Sequence, residues 1–184
     1  QGLYLHYPFC IKKCRYCDFF SKPLAMQETD EYILALLNEI CAFSAYYDWG
    51  IFTSVYFGGG TPSLLSSDKL QIIVEALYNN FSIAKDAELT LEANPGTLTL
   101  SKLKAYKKAG INRLSIGLQS SSDPLLKRIG RPHTAAQFIE AYNFAKEAGF
   151  KNINVDLMHG LPGQTLKEYR DTLIKTISLQ PEHI

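Results

Sequence analysis

Gly2-Leu3-Tyr4-Leu5-His6-Tyr7-Pro8-Phe9-Cys10-Ile11-Lys12-Lys13-Cys14-Arg15-Tyr16-Cys17 decides how the rest of this chain is read. An apolar, strand-like run ends at three thiols within eight residues. The chemistry therefore begins where a strand stops. One loop with this spacing can wrap a single polynuclear centre, yet it supplies only three ligands where a closed site wants four. An iron left with an open position can bind a substrate.

The alternation continues outward from that loop. Residues 28–47 carry helical periodicity, and Ile51–Phe57 is β-branched and aromatic, as strands are. A helix is expected over 67–81, with Leu70, Ile73, Val74 and Leu77 on one face. A strand follows at Glu88–Ala93, a short helix at 101–109 ended by Gly110, and a strand at Asn112–Gly117. Thr134 and Gln137 have capping-box form and open a helix running to Gly149, and Asn152–Met158 reads as a strand. A second capping box, Thr165 with Glu168, opens a last helix to about Leu179. Pro181–Ile184 points into a sixth strand.

Five strand-then-helix units imply parallel strands joined by right-handed crossovers. Strands this apolar are expected to be covered on both faces. A doubly wound open sheet and a barrel both fit that pattern. Polar signals fall at the C-terminal end of every strand: Cys10–Cys17, Gly58–Thr61, Glu92–Asn94, Gln119 and Asp156. Chemistry spread over many strand ends marks a barrel mouth, whereas an open sheet gathers its ligand groups at one switch point. The fold class is therefore α/β, a partial parallel (β/α)6 barrel cut at the start of its sixth strand.

The 184 residues suffice for one domain with a core. With 46% hydrophobic and 20% charged residues the composition is that of an ordinary globular chain. A formal net charge of +1 and the lack of any long basic tract give no sign of a nucleic-acid partner. No apolar run approaches the ~20 residues of a membrane span. Four cysteines, three of them clustered, do not make a disulfide framework; they point to a reducing, cytoplasmic compartment. Cys41 falls in the pattern of Ile33, Leu36, Leu37 and Ile40 and is expected to be a buried core thiol. The chain opens directly on a strand and stops where another begins, so residues 1–184 are expected to be one core domain excerpted from a longer protein.

The cysteine loop admits two metals. His6 with the three thiols would make a tetrahedral zinc site. Against zinc, His6 lies within the strand, four residues before Cys10, and spacings of three and two suit the corners of an iron–sulfur cubane. Glycines at 58–60 would let backbone approach a ligand closely. Glu92, Gln119, Arg131 and Asp156 are polar groups at or beyond strand ends, and Tyr4 and Tyr16 flank the thiols. His133 has no assigned role.

Cys-x3-Cys-x2-Cys with Tyr16 before the last thiol resembles the radical S-adenosylmethionine (SAM) superfamily. The resemblance implies a 4Fe-4S cluster on Cys10, Cys14 and Cys17, with the fourth iron chelated by the amino and carboxylate groups of SAM. It implies that a reduced cluster passes an electron to the sulfonium and yields a 5′-deoxyadenosyl radical. It makes Gly59, Gly60 and Thr61 the contacts to the methionyl amino group. Glu92 becomes a polar contact to SAM, Gln119 a ribose contact and Arg131 a further SAM contact. Asp156 would bind a ribose hydroxyl or orient Arg131, and Tyr4 and Tyr16 would line the cluster side of the pocket.

His6–Cys10, Gly58–Pro62, Glu92–Pro95, Gly117–Gln119 and Asp156–Thr165 occur in the order and spacing of the oxygen-independent coproporphyrinogen III oxidase family. In one branch a further cysteine lies two residues after the third, and propionates are oxidised to vinyls. Here Phe19 takes that place. The chain is therefore more similar to the other branch, a resemblance that implies haem binding and a haem-chaperone role. Haem or a porphyrin, an unnamed haem acceptor and an unnamed electron donor are the partners this implies, and decarboxylation is the alternative activity.

Overall fold

A computed structural model describes residues 1–46 and 49–184. The strands are β1 (Gly2–Tyr7), β2 (Phe9–Cys10), β3 (Lys22–Pro23), β4 (Phe52–Gly59), β5 (Ile83–Ala93), β6 (Arg113–Gln119) and β7 (Ile153–Leu157). The α-helices are α1 (Met26–Ser44), α2 (Ser67–Asn80), α3 (Leu100–Lys108), α4 (Asp123–Arg128), α5 (Ala135–Glu147) and α6 (Leu166–Ser178).

β1, β4, β5, β6 and β7 form one sheet in that order, and every neighbouring pair is parallel. The order never reverses. Right-handed crossovers therefore lay all the connecting helices on one face, which is how a sheet coils toward a barrel instead of winding both ways. Beyond β7 the backbone of His183 exchanges hydrogen bonds with Ile153 and Val155, beginning the sixth strand where it was expected. The structure is thus a partial parallel β/α barrel.

Strand side chains alternate between faces. Leu5, Val55, Phe57, Leu89, Leu91, Leu114, Ile116, Ile153 and Val155 are buried in the core with helix residues such as Ile33, Leu70, Leu77, Leu103, Tyr106, Phe138 and Ala145. The residues between them (Tyr4, Tyr56, Glu92, Ser115, Asn154 and Asp156) fall on the opposite, concave face. The register aligns them in rows, pairing Tyr4 with Tyr56, Glu92 with Ser115, and Ser115 with Asn154. Caps fix the helix entries. Ser66 and Thr99 accept from the third residue of their helices, and Thr134 and Thr165 form full capping boxes with Gln137 and Glu168.

Two expectations need correction. Cys41 is exposed, not a core thiol. The buried stripe of α1 runs through Thr29, Ile33 and Ile40, and Cys41 stands about 100° further round the helix. The six-residue α4 was not anticipated, because it is too short to show periodicity. The end expected for the first helix, at 47, lies outside the described residues. No helix among them is long and apolar enough to cross a membrane.

Candidate cofactor site

The strand ends and the cysteine loop enclose a cavity of about 380 Å³. Cys10, Cys14, Tyr16 and Cys17 line one wall, and Gly59, Gly60, Thr61, Glu92, Gln119, Arg131 and Asp156 line the others. Eleven sequence-expected residues thus meet around one space, although they come from six separate segments. The twelfth, Tyr4, is not part of the lining. It sits on the edge strand β1, stacks on Tyr56 with ring centroids 6.1 Å apart, and Tyr56 takes the place facing the cavity.

Backbone hydrogen bonds explain how the loops are held. Gly60 N–H donates to Tyr7 O (2.6 Å) and Thr61 N–H to Phe9 O (2.8 Å), tying the glycine turn to the entry of the cysteine loop. Thr61 Oγ1 lies 3.5 Å from Cys10 Sγ. On the exit side, Lys22 and Leu24 donate to Pro8 O and Cys10 O. The middle of the loop rests on the end of α4, where Arg15 N–H donates to Ile129 O (2.9 Å). Cys17 N–H closes a turn onto Cys14 O.

Two glycines are required there. A Cβ on Gly59, whose φ is +105°, would fall 2.7 Å from the His6 ring. A Cβ on Gly60 would fall 2.7–2.8 Å from the carbonyl oxygens of Phe9 and Tyr7, which cannot move aside. Gln119 has a left-handed φ of 69°, uncommon outside glycine, at the irregular end of β6. That turn leaves its side chain on the cavity.

The polar groups form three sets. Tyr56 Oη donates to Glu92 Oε1 (2.7 Å). Burial, with Asp156 nearby, raises the Glu92 carboxyl above the usual carboxylate range even though this hydrogen bond opposes the rise. Asp156 accepts from Ser115 Oγ (3.0 and 3.2 Å) and Asn154 Nδ2 (2.6 Å). Arg131 donates from Nη2 to Gly117 O (2.7 Å) and from Nη1 to Tyr16 Oη (3.4 Å), while its buried Nε has no partner. The bonds of Asp156 thus go to strand neighbours and not to Arg131. Burial pushes the Tyr16 phenol up to about 12, with Arg131 opposing the shift.

His6 does not join the thiols on the cavity lining. Its Nε2 donates to Phe20 O (2.8 Å), so Nδ1 is the acceptor and takes the Tyr4 hydroxyl (3.1 Å). With both nitrogens engaged it is not poised as a zinc ligand. Among the described residues no three His, Cys, Asp or Glu side chains are gathered to hold a single ion. His133 is buried at 2% exposure, donates to Leu118 O and is held down to about 4, chiefly by burial. It is a packed structural histidine.

The sequence reading missed Tyr56, Ser115 and Asn154. A strand's alternation places them on the concave face, and that was the available signal. It also missed the support given to the cysteine loop by α4, which no local pattern reveals.

The cofactor that such a site takes can be tested on its donors. Three free thiols on one wall, a glycine turn that no Cβ can fill, and an unpartnered buried Arg131 Nε form a site for a thiolate-bound polynuclear centre beside a polar ligand. The fold and site define a β/α-barrel protein of iron–sulfur type. The radical SAM superfamily model matches residues 4–175, and the chain belongs to that superfamily. Membership implies a 4Fe-4S cluster and SAM as its cofactors. Over all 184 residues the chain is 42% identical to the heme chaperone HemW of Escherichia coli and 40% identical to that of Bacillus subtilis. It spans 49% and 48% of those proteins, about half the length of the curated relatives it matches. Among solved structures it resembles coproporphyrinogen III oxidase (HemN) from Escherichia coli, a radical SAM enzyme, with a TM-score of 0.91 and 31% identity. That likeness covers 98% of this chain and 42% of the other.

Proposed function

We propose that this chain is the cofactor-binding core of a haem-handling protein of the HemW type. In this reading Cys10, Cys14 and Cys17 hold three irons of a 4Fe-4S cluster, and SAM occupies the rest of the cavity. The single observation that carries it is the meeting of the three thiols with Gly59, Gly60, Glu92, Gln119, Arg131 and Asp156 around one cavity, in a chain similar to HemW along its whole length.

Cys10, Cys14 and Cys17 would hold the cluster, whose chemistry when bound would be one-electron reduction of the sulfonium of SAM. The rest of the work belongs to the chain. Gly59 and Gly60 let backbone approach the methionyl end. Arg131, fixed by Gly117 O and Tyr16 Oη, offers its free Nε–H to an anionic group. Glu92 accepts from Tyr56 and keeps lone pairs for an amino or hydroxyl donor. Asp156, oriented by Ser115 and Asn154, presents its remaining acceptor capacity to a hydroxyl such as that of a ribose. Gln119 stands beside it at the end of β6. The thiolate loop suits a reducing compartment.

The likeness to HemN supports a second reading, radical decarboxylation of coproporphyrinogen propionates. Phe19, where that branch carries a cysteine, favours haem handling instead.

Anaerobically purified protein should contain about four irons and four sulfides per chain. It should bind SAM, and it should shift the absorbance of added haem in a saturable titration. Absence of any haem shift would sink the haem reading and leave the cluster assignment standing. Vinyl product formed from coproporphyrinogen would transfer the chain to the second reading.

A further inference from the structure

The rim of the cavity differs in charge from its depth. At the strand ends stand two carboxylates, Glu92 and Asp156. At the outer edge the cysteine loop contributes Lys12, Lys13 and Phe19 to the lining. Lys13 Nζ donates to Phe19 O (3.2 Å) and pairs with no carboxylate among the described residues. Lys12 is exposed and makes no hydrogen bond or ion pair among the described residues. Asp18 is the only carboxylate between Cys10 and Lys22 in the sequence. Arg15 and Lys22 are turned to other work, on Arg128 O and Glu28. Two cations without a carboxylate partner among the described residues therefore share the lining with Phe19, which is 64% exposed, and Phe20 follows at 83%.

Such a rim selects its ligand. Apolar rings left in water are best covered by a flat apolar surface, and ammonium groups beside them attract carboxylates. Deeper in, Arg131 stands beside the two carboxylates and is already given to the anionic group of SAM in the reading above. A cavity of about 380 Å³ that must also hold a cluster and SAM leaves a macrocycle only the mouth. We infer that Lys12 and Lys13 dock the propionate carboxylates of a tetrapyrrole whose ring face lies against Phe19 at that mouth. This rests on the haem-handling reading above, and it adds the binding surface and the groups recognised.

The test compares iron protoporphyrin IX with its dimethyl ester, which keeps the ring and removes both negative charges. Each is titrated into the full protein carrying its cluster, with SAM present. The free acid should bind about five- to tenfold more tightly than the ester, the scale of one or two partly exposed ion pairs. Lys12→Gln with Lys13→Gln should lower affinity for the acid to that for the ester, and the paired Lys→Arg changes should restore the preference. Lys12→Gln alone should halve the preference or better, and it disturbs no internal contact.

Equal binding of acid and ester by the unaltered protein overturns the inference while leaving haem handling intact, and needs no variant. A glutamine variant that keeps the preference but loses SAM affinity also overturns it, by assigning the lysines to the carboxylate of SAM. If neither porphyrin binds, the haem reading fails and the rim assignment fails with it.

Discussion

The two faces of the sheet obey different physics. On the convex face Leu5, Phe57, Leu91, Leu114 and Ile153 pack against helices at or below 7% exposure, and each contact is interchangeable in kind with the next. On the concave face Tyr56, Glu92, Ser115, Asn154 and Asp156 make directed hydrogen bonds, and several groups keep unused capacity. Arg131 Nε and Asn94 Oδ1 are buried with no partner among the described residues. Buried polar atoms are ordinarily satisfied, and these two, unlike the others left over, line the cavity, where a ligand can complete the set. One face holds the fold together and the other remains unfinished without its cofactors.

That division can be broken by experiment. The largest effect is expected from Cys14→Ala, which should abolish the iron–sulfur centre while the melting temperature of the iron-free protein stays within a few degrees of the iron-free parent. Iron analysis and a circular-dichroism melt would check both halves. Joint loss of fold would mean that the metal site is structural, as in small zinc domains.

Leu114→Ala addresses the opposite face. Leu114 is fully buried, and its truncation should cost about 2–5 kcal/mol in urea unfolding. Protein that still folds should load iron normally. A comparable but pH-dependent effect is expected from His133. Its folded value near 4 lies below the ordinary 6.5, so the unfolded chain takes up the proton first. Stability contributed by the neutral ring is complete above pH ~6.5 and drains away as pH falls toward 4, by roughly 3 kcal/mol at the limit. His133→Gln should flatten that part of the stability curve, and an unchanged slope would count against a neutral buried ring. The smallest effect is expected from Cys41→Ser, within about 0.5 kcal/mol, because the thiol is exposed. A loss of several kcal/mol would restore Cys41 to the core.

Much of the fold was legible. The turn residues and the 2- and 3.6-residue periods marked all five main strands and five of the six helices, with ends displaced by a few residues. β5 begins at Ile83 because Phe52 pairs with Ile83 ahead of the bulge, a matter of sheet registration that no local run of residues encodes. Cys41 misled because a helix on the edge strand buries a narrower stripe than its apolar residues suggest. α4 escaped because six residues are too few for a period. The site was legible in its loops and strand ends, whose residue types are unusual where they stand. It was less legible in Tyr56, Ser115 and Asn154, which alternation places on the concave face but which acquire roles only from the carboxylates beside them.

By itself the sequence determined the alternation of strands and helices, the three-thiol loop and the superfamily to which the chain belongs. These follow from local periodicity and from residues close together along the chain. Only the tertiary structure decided that Thr61 meets Cys10, that Arg15 rests on the end of α4, and that Tyr56 displaces Tyr4 from the cavity wall. Those contacts join segments dozens of residues apart, and the parallel register of the sheet, set by packing along its whole length, brings them together.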